Sequence, residues 1–102
     1  MPKINIQFFP NEKKIMLNDY ALHCPSEGAA SALTRKNILG AIMAGQYEFQ
    51  SDRDDPFIID CGSEIGIVTF VFKVQYPNAK ILCFEPDPIA FKFLEKNILE
   101  NS

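Results

Sequence analysis

The sequence has few of the residues that stabilise small disulfide-rich domains or bind metals. Among its 102 residues there is no tryptophan and one histidine, His23, and the three cysteines stand far apart at positions 24, 61 and 83. No Cys-x-x-Cys motif and no Cys/His metal spacing occurs, so neither a metal site nor a disulfide framework is predicted. We expect the cysteines to be small buried residues in a reducing compartment, and His23 to be structural.

Positive charge and long apolar runs are also lacking. Ten Lys and Arg stand against 13 Asp and Glu, which gives a net charge of −3. Such a chain has no basic field to attract nucleic acid or an anionic membrane. The N-terminus shows no signal-peptide pattern, and no apolar run approaches the roughly 20 residues of a membrane span. We therefore expect a cytoplasmic globular domain whose partners are neither nucleic acid nor membrane.

The first half of the chain predicts a short β ribbon followed by a helix. "KINIQFF" (residues 3–9) alternates apolar and polar residues, "PNEKK" supplies a turn, and "KIMLNDYALHC" is again β-compatible. "SALTRKNILGAIMAG" (residues 31–45) predicts a helix that Gly45 ends, with an apolar face of Ile38, Leu39, Ile42 and Met43. A polar connector, "QSDRDDP", completes a predicted N-terminal part, residues 1–55.

The second half, residues 56–102, predicts a parallel βαβα unit and hence an α/β fold. "FIID" (residues 57–60) is typical of a strand buried on both faces, and "KILCFE" (residues 80–85) is the second strand. Between them, "IGIVTFVFKVQYP" has β-branched residues, but the chain must reverse before the second strand, which favours a helix. Right-handed crossovers place both helices of the unit on one face, so the helix of residues 31–44 is the candidate cover for the other.

The last segment, "PDPIAFKFLEKNILENS", predicts a helix with clear signals at its start. Asp87 can cap its N-terminus, and Pro88 suits the first helical position. Its apolar residues recur at helical spacing, which predicts a buried stripe of Ala90, Phe91, Leu94 and Ile98.

Two acids and two glycines fall where an open parallel sheet binds its ligands, beyond the carboxyl ends of the strands. Asp60 ends the first strand, and Glu85 ends the second, 25 residues later. A carboxylate at the second position suits the two vicinal hydroxyls of a ribose. Gly62 and Gly66 let the backbone approach a ligand. Each residue also has a structural alternative: Asp60 as a turn cap, Gly66 for close packing, and Glu85 as an exposed acid.

The spacing of the glycines bears on the kind of nucleoside. Dinucleotide sites use G-x-G-x-x-G, in which the middle glycine admits the pyrophosphate. Here the residues between Gly62 and Gly66 are "SEI", so the middle glycine of the dinucleotide motif is absent. An adenosyl ligand without a pyrophosphate is therefore favoured over NAD or FAD, which stay a weaker alternative.

Three segments, "FIIDCGSEIGIVT", "YPNAKILCFEPDP" and "FLEKNILEN", resemble the FkbM-type family of S-adenosylmethionine-dependent methyltransferases. The resemblance covers residues 56–101 and implies the first half of a Rossmann-like methyltransferase domain, with S-adenosylmethionine as cofactor. It further implies transfer of a methyl group to a hydroxyl oxygen of a small-molecule acceptor, usually a sugar or natural product. The residues that it assigns to the cofactor are Asp60, Gly62, Ser63, Glu64 and Gly66 in the first loop, Glu85 at the ribose, and Pro86 and Asp87 near the adenine.

The chain departs from the family in two ways. Glu64 and Ser63 stand where the family has Asn and Ala, and Glu tolerates a left-handed backbone less well than Asn. The Glu64 carboxylate could repel the methionine carboxylate of the cofactor or attract its amino group or sulfonium. The sequence also ends after the second helix, before the strands that carry the acceptor site and any base. We therefore assign no catalytic residue and expect a truncated, inactive cofactor-binding portion. The alternative is a non-catalytic remnant or assembly module that self-associates through open sheet edges.

Overall fold

A computed structural model describes residues 2–25 and 29–102 and confirms the predicted α/β class. An antiparallel ribbon comes first, followed by a helix and then by a parallel strand–helix–strand–helix unit, which is compatible with a partial Rossmann-like fold. The elements are β1 (Ile6–Phe9), β2 (Lys14–Leu17), β3 (Tyr20–His23), α1 (Ala29–Met43), β4 (Phe57–Cys61), α2 (Ile67–Gln75), β5 (Lys80–Phe84) and α3 (Pro88–Glu100). Within these described ranges, no helix is both long and apolar enough to cross a membrane.

The ribbon is a three-stranded antiparallel sheet in the order β1-β2-β3. Its tight turns use left-handed backbone at Lys13 (φ 52°) and Asn18 (φ 51°). Alternation along the strands turns one face inward, so that the side chains of Ile15, Leu17 and Leu22 are fully buried.

One buried cluster joins this ribbon to the parallel unit. It contains Ile15, Leu17 and Leu22 together with apolar side chains of α2, and the Tyr20 ring lies 4.9 Å from the Phe70 ring. Burial of each such side chain contributes roughly 1.5–3 kcal/mol. The ribbon therefore supports α2, whose N-terminus lies at the ends of the parallel strands.

The parallel unit forms as predicted, and α2 is helical despite its β-branched residues. Its buried residues include Ile67, Phe70, Val71 and Val74, which follow the i, i+3, i+4, i+7 spacing of one helical face. Burial of this face outweighs the small intrinsic preference of valine and isoleucine for strands. Strands β4 and β5 pair in parallel, with Ile59 opposite Leu82.

The expectation that β4 is buried on both faces is wrong. Its inner face, with Ile58 and Asp60, lies towards α2, but Phe57 and Ile59 on the outer face are 66% and 59% exposed. Helix α1 does not cover this outer face, contrary to prediction, because its Ile42 packs into the cluster shared with the ribbon. Cys61 is exposed on the same face, so the expectation of burial fails for this cysteine as well.

The end of α1 is predicted correctly, but one residue of its apolar face is not. Gly45 has φ 77°, and its N–H donates to the Ile42 carbonyl while the Gln46 N–H donates to the Ala41 carbonyl. This is the Schellman arrangement that closes a helix with glycine. Met43, predicted to be buried, is 88% exposed, because the cluster receives Ile42 on a different side of the last helical turn.

Helix α3 begins as predicted but buries a different stripe. The Asp87 carboxylate accepts a hydrogen bond from the Ile89 N–H (3.4 Å), and Pro88 takes the first helical position. Phe91 and Ile98, predicted to be buried, are 44% and 38% exposed, whereas Leu94 and Asn97 are buried. Near the C-terminal end of α3 the neighbouring surface is the backbone edge of β3, where an amide such as that of Asn97 is a better partner than an apolar side chain.

Candidate functional site

The carboxyl ends of β4 and β5 meet at one edge of the parallel sheet, and there the chain forms a tight turn, residues 62–66, which we call the strand-end turn. The N–H groups of Gly62 and Ser63 both donate to the Phe84 carbonyl, at 2.8 and 3.0 Å. The buried Ser63 hydroxyl donates to the Asp60 carbonyl at 2.8 Å. These bonds bind the turn to the ends of both strands, so the structure does bring the predicted first-loop residues together.

Left-handed backbone recurs at every second residue of the strand-end turn. The φ angles are 79° at Gly62, 52° at Glu64 and 105° at Gly66. The side chains of Ser63 and Ile65, between them, point into the protein, where both are buried. A non-glycine residue in the left-handed region costs roughly 1–2 kcal/mol. Glu64 therefore occupies a strained position.

Glu85 connects the turn to the segment that leaves β5. Its Oε1 accepts a hydrogen bond from the Glu64 N–H (2.7 Å), and its Oε2 accepts one from the Asp87 N–H (2.9 Å). A carboxylate has about four lone-pair positions on its two oxygens, so each oxygen keeps the capacity to accept another donor. Pro86 and Asp87 are exposed beside it. Glu85 is thus held in place by the backbone while both of its oxygens can still accept a hydroxyl.

Asp60 faces inward, away from this surface. It is only 9% exposed, and its Oδ2 accepts a hydrogen bond from the Thr69 hydroxyl at 2.6 Å. The same hydroxyl lies 3.6 Å from the Cys83 sulfur on β5. Asp60 therefore joins the strand end to α2. Thr69 was not predicted, although it is the one polar residue in the apolar stretch "IVTFVF", which is the signal that could have found it.

The carboxylates of Glu64 and Glu85 are close enough to interact, and both add to the negative charge of the site. Partial burial, and secondly the charge of Glu85, raise the pKa of the Glu64 carboxyl above its ordinary value of 4.5. Among the described residues the ion pairs are Arg53 with Asp55 and His23 with Glu100, so neither site carboxylate has a basic partner there. The arrangement favours a ligand that donates hydrogen bonds and carries positive charge.

The cavity next to the turn is small. About 100 Å³ is enclosed by the strand-end turn together with Tyr47 and apolar residues of α1 and α2. Small-molecule pockets usually measure roughly 300–1,000 Å³, so a nucleoside would lie mainly on the surface formed by the two strand ends. A larger groove of about 650 Å³ lies elsewhere, between β1 and the end of α1, and its lining includes Phe8 and Met43. We place the candidate site at the strand ends, because the carboxylates of Glu64 and Glu85 converge there beside the exposed Gly62.

The imidazole of His23 is not among the groups of this site. It pairs with Glu100 near the C-terminal end of α3. In the part of the chain that the structure describes, no three His, Cys, Asp or Glu side chains are close enough together to hold a metal ion.

Two curated proteins are similar to this chain. It is 40% identical over 55 residues to methyltransferase sdnD of Sordaria araneosa, a match that covers 54% of this chain and 21% of that protein. It is also 40% identical over 52 residues to methyltransferase 1 of Beauveria bassiana (strain ARSEF 2860), covering 51% and 21% respectively. The chain thus spans about a fifth of the length of these relatives. No protein-family model and no solved structure matches it. The similarities support a relationship with methyltransferases in general.

Proposed function

We propose that this chain is the cofactor-binding portion of an S-adenosylmethionine-dependent methyltransferase. The observation that carries the proposal is the Glu85 carboxylate, which the N–H groups of Glu64 and Asp87 hold at the strand ends while both oxygens keep acceptor capacity. The 40% identity to two proteins named methyltransferases supports the same conclusion. The resemblance to the FkbM type favours a hydroxyl oxygen of a sugar or natural product as the methyl acceptor.

The residues of the site fit the chemistry of this cofactor. The Glu85 oxygens would accept the two ribose hydroxyls, and the exposed Pro86 ring offers an apolar surface beside them for the adenine. At Gly62 a Cβ atom would meet nothing within 4 Å, so the backbone there is open to a ligand. The Glu64 carboxylate would face a cationic group, either the amino group or the sulfonium.

When bound, S-adenosylmethionine supplies a methyl group activated by its sulfonium. The contribution of this chain is to bind and orient it, since effective transfer depends on holding the methyl group in line with the acceptor oxygen. We assign no general base, and we expect the 102-residue chain to bind the cofactor without catalysing turnover.

Isothermal titration calorimetry tests the proposal. S-adenosylmethionine and S-adenosylhomocysteine should both give measurable heats, and Glu85→Gln should weaken binding by about tenfold or more, because charge-assisted hydrogen bonds are lost. Glu95→Gln removes an exposed carboxylate from α3 and is the matched control, with no expected effect.

Two results contradict the proposal. One is the absence of heat from both ligands at millimolar concentration. The other is a larger thermal stabilisation by NAD than by S-adenosylmethionine, which would favour the dinucleotide alternative, since a ligand specific for the folded state stabilises according to its affinity.

A second candidate function is an assembly module that pairs with a second copy of itself. The outer face of the parallel sheet favours it, because Phe57, Ile59, Leu82 and Phe84 are all between 47% and 66% exposed there. Among the described residues, no further strand pairs with the β4-β5 sheet, so each of its two strands has one open backbone edge. A second copy could cover the apolar face and pair with an edge, because exposed apolar patches and unpaired strand edges both favour association.

Light scattering over a range of concentrations tests this candidate. The wild-type chain should form dimers that dissociate on dilution, and Ile59→Lys should be monomeric because it places a charge in the middle of the face. Leu99→Lys is the control, since Leu99 is 69% exposed on α3 and lies outside the sheet. A wild-type chain that stays monomeric at every concentration rules the candidate out.

A further inference from the structure

Asn97 of α3 is a fully buried polar residue that contacts two distant parts of the chain. Its Oδ1 accepts a hydrogen bond from the His23 N–H (2.7 Å). Its Nδ2 donates to the His23 carbonyl (3.1 Å) and to the Ile65 carbonyl (2.8 Å). His23 belongs to β3 of the ribbon, and Ile65 belongs to the strand-end turn. One amide therefore joins the ribbon to the candidate site.

Asn101, one helical turn later, repeats only half of this arrangement. Its Oδ1 accepts from the Ala21 N–H (3.3 Å), and its Nδ2 donates to the Ala21 carbonyl (2.9 Å). Helical residues four apart are separated by about 6.0 Å and strand residues two apart by about 6.7 Å, so the two amides match alternate residues of β3. Both asparagines thus bind the backbone edge of β3, but only Asn97 also reaches the turn.

The contact to Ile65 falls at a sensitive point of the site. Ile65 lies between two residues with left-handed backbone, Glu64 and Gly66, and the Glu64 N–H is one of the two donors that hold Glu85. Without Asn97, the Ile65 carbonyl would lose a buried donor, and the turn could relax towards less strained backbone angles. Such a relaxation would withdraw the Glu64 N–H from Glu85.

We infer that Asn97 is a positioning residue for the strand-end site, through which the ribbon sets the affinity for the ligand. The inference rests on the proposed function, with S-adenosylmethionine as the ligand. Asn97 does not touch the ligand in this account. It holds the Ile65 carbonyl, and thereby keeps the strand-end turn in the conformation that directs the Glu64 N–H to Glu85.

Asn97→Ala and Asn101→Ala form a matched pair that separates positioning from stability. Each variant removes two hydrogen bonds to β3 and should lower the melting temperature. At a temperature where both variants are folded, Asn97→Ala should weaken S-adenosylmethionine binding by about tenfold, whereas Asn101→Ala should stay within about twofold of wild type.

Hydrogen exchange supplies a readout that needs no ligand. Backbone amides of residues 64–66 should exchange faster in Asn97→Ala than in Asn101→Ala. If Asn97→Ala does not fold, the wild-type chain still gives the answer by NMR. On addition of S-adenosylmethionine, the side-chain amide signals of Asn97 should shift, and those of Asn101 should not.

Equal loss of affinity in the two variants, or no loss in either, overturns the inference while leaving the proposed function intact. Side-chain amide signals that shift equally for both asparagines overturn it as well. A wild-type chain that binds no S-adenosylmethionine overturns the proposed function instead. In that case, hydrogen exchange at the backbone amides of residues 64–66 is the measurement that shows whether Asn97 positions the turn. Equal exchange rates in Asn97→Ala and Asn101→Ala reject that role.

Discussion

Three glycine-to-alanine substitutions should have three different effects on stability, and the strand-end turn should be the most sensitive position. At Gly66, φ is 105°, and an added Cβ would lie 3.1 Å from Cδ1 of Leu94 and 3.5 Å from the Phe70 ring. Leu94 is 2% exposed and has little room to move. Backbone strain of roughly 1–3 kcal/mol and overpacking of similar size add together, so Gly66→Ala should lower the free energy of unfolding by roughly 3 kcal/mol or more.

The other two substitutions separate these causes. Gly62 has φ 79° but open space where its Cβ would be, so Gly62→Ala should cost only backbone strain, roughly 1–2 kcal/mol. Gly40 lies inside α1, also in open space and without a left-handed φ, so Gly40→Ala should stabilise by roughly 0.5–1 kcal/mol.

Urea unfolding followed by far-ultraviolet circular dichroism measures all three changes, and the chain has no tryptophan to follow by fluorescence. If Gly66→Ala is no less stable than Gly62→Ala, the contact of the added Cβ with Leu94 has no energetic cost, contrary to prediction. If Gly40→Ala is destabilising, the space beside Gly40 is not open, again contrary to prediction.

Three further predictions concern single side chains. Glu64→Asn and its control Lys13→Asn, both at φ 52°, should each raise the free energy of unfolding in urea by roughly 0.5–1 kcal/mol, because Asn tolerates left-handed backbone better. If only Lys13→Asn is stabilised, the backbone at Glu64 is not strained. The raised pKa of Glu64 means that the folded chain binds the carboxyl proton of Glu64 more tightly than the unfolded chain does. The free energy of unfolding of the wild-type chain should therefore fall as the pH rises from about 4.5 through the folded pKa. The melting temperature of Glu64→Gln relative to wild type should increase over that pH range, and a constant difference contradicts the raised pKa. Thr69→Val removes the hydroxyl that donates to buried Asp60 and should lower the free energy of unfolding by roughly 1–3 kcal/mol, whereas Thr69→Ser should retain most of the stability. Thermal unfolding measures both changes, and an equal loss of stability in the two variants contradicts the role of the hydroxyl.

Local signals and the order of elements predict most helices and strands of this chain. Helix α2 is predicted because the chain must reverse before the second strand, although its valines and isoleucines favour strands. In the structure its buried residues follow one helical face. The cap at Asp87 and the end of α1 at Gly45 follow from chemistry within one turn of the chain. These features depend on neighbours in sequence, which the sequence displays directly.

The errors arise where a distant segment decides which residues are buried. The strand "FIID" is apolar enough to be covered on both faces, but α1 packs into the ribbon cluster and leaves Phe57 and Ile59 exposed. On α3, the rule that apolar residues are buried predicts Phe91 and Ile98. The neighbouring surface is instead the backbone of β3, whose N–H and carbonyl groups require polar partners.

The candidate site divides in the same way. Asp60, Gly62 and Glu85 come together because parallel strands must end at a common edge, which the order of elements already implies. Asn97 could not be predicted, because its partner His23 is 74 residues away in sequence and no periodicity connects them. The inward orientation of Asp60 likewise depends on a distant partner, the Thr69 hydroxyl of α2.

A titration of the isotopically labelled chain with S-adenosylmethionine, followed by two-dimensional NMR, tests directly whether the ends of β4 and β5 bind the cofactor. We expect the largest shifts at the backbone amides of residues 62–64 and 85–87, and we expect them to disappear in Glu85→Gln but not in Glu95→Gln. Shifts concentrated along the groove between β1 and α1, or no shifts at millimolar ligand, would contradict the claim that the ends of β4 and β5 form a cofactor site.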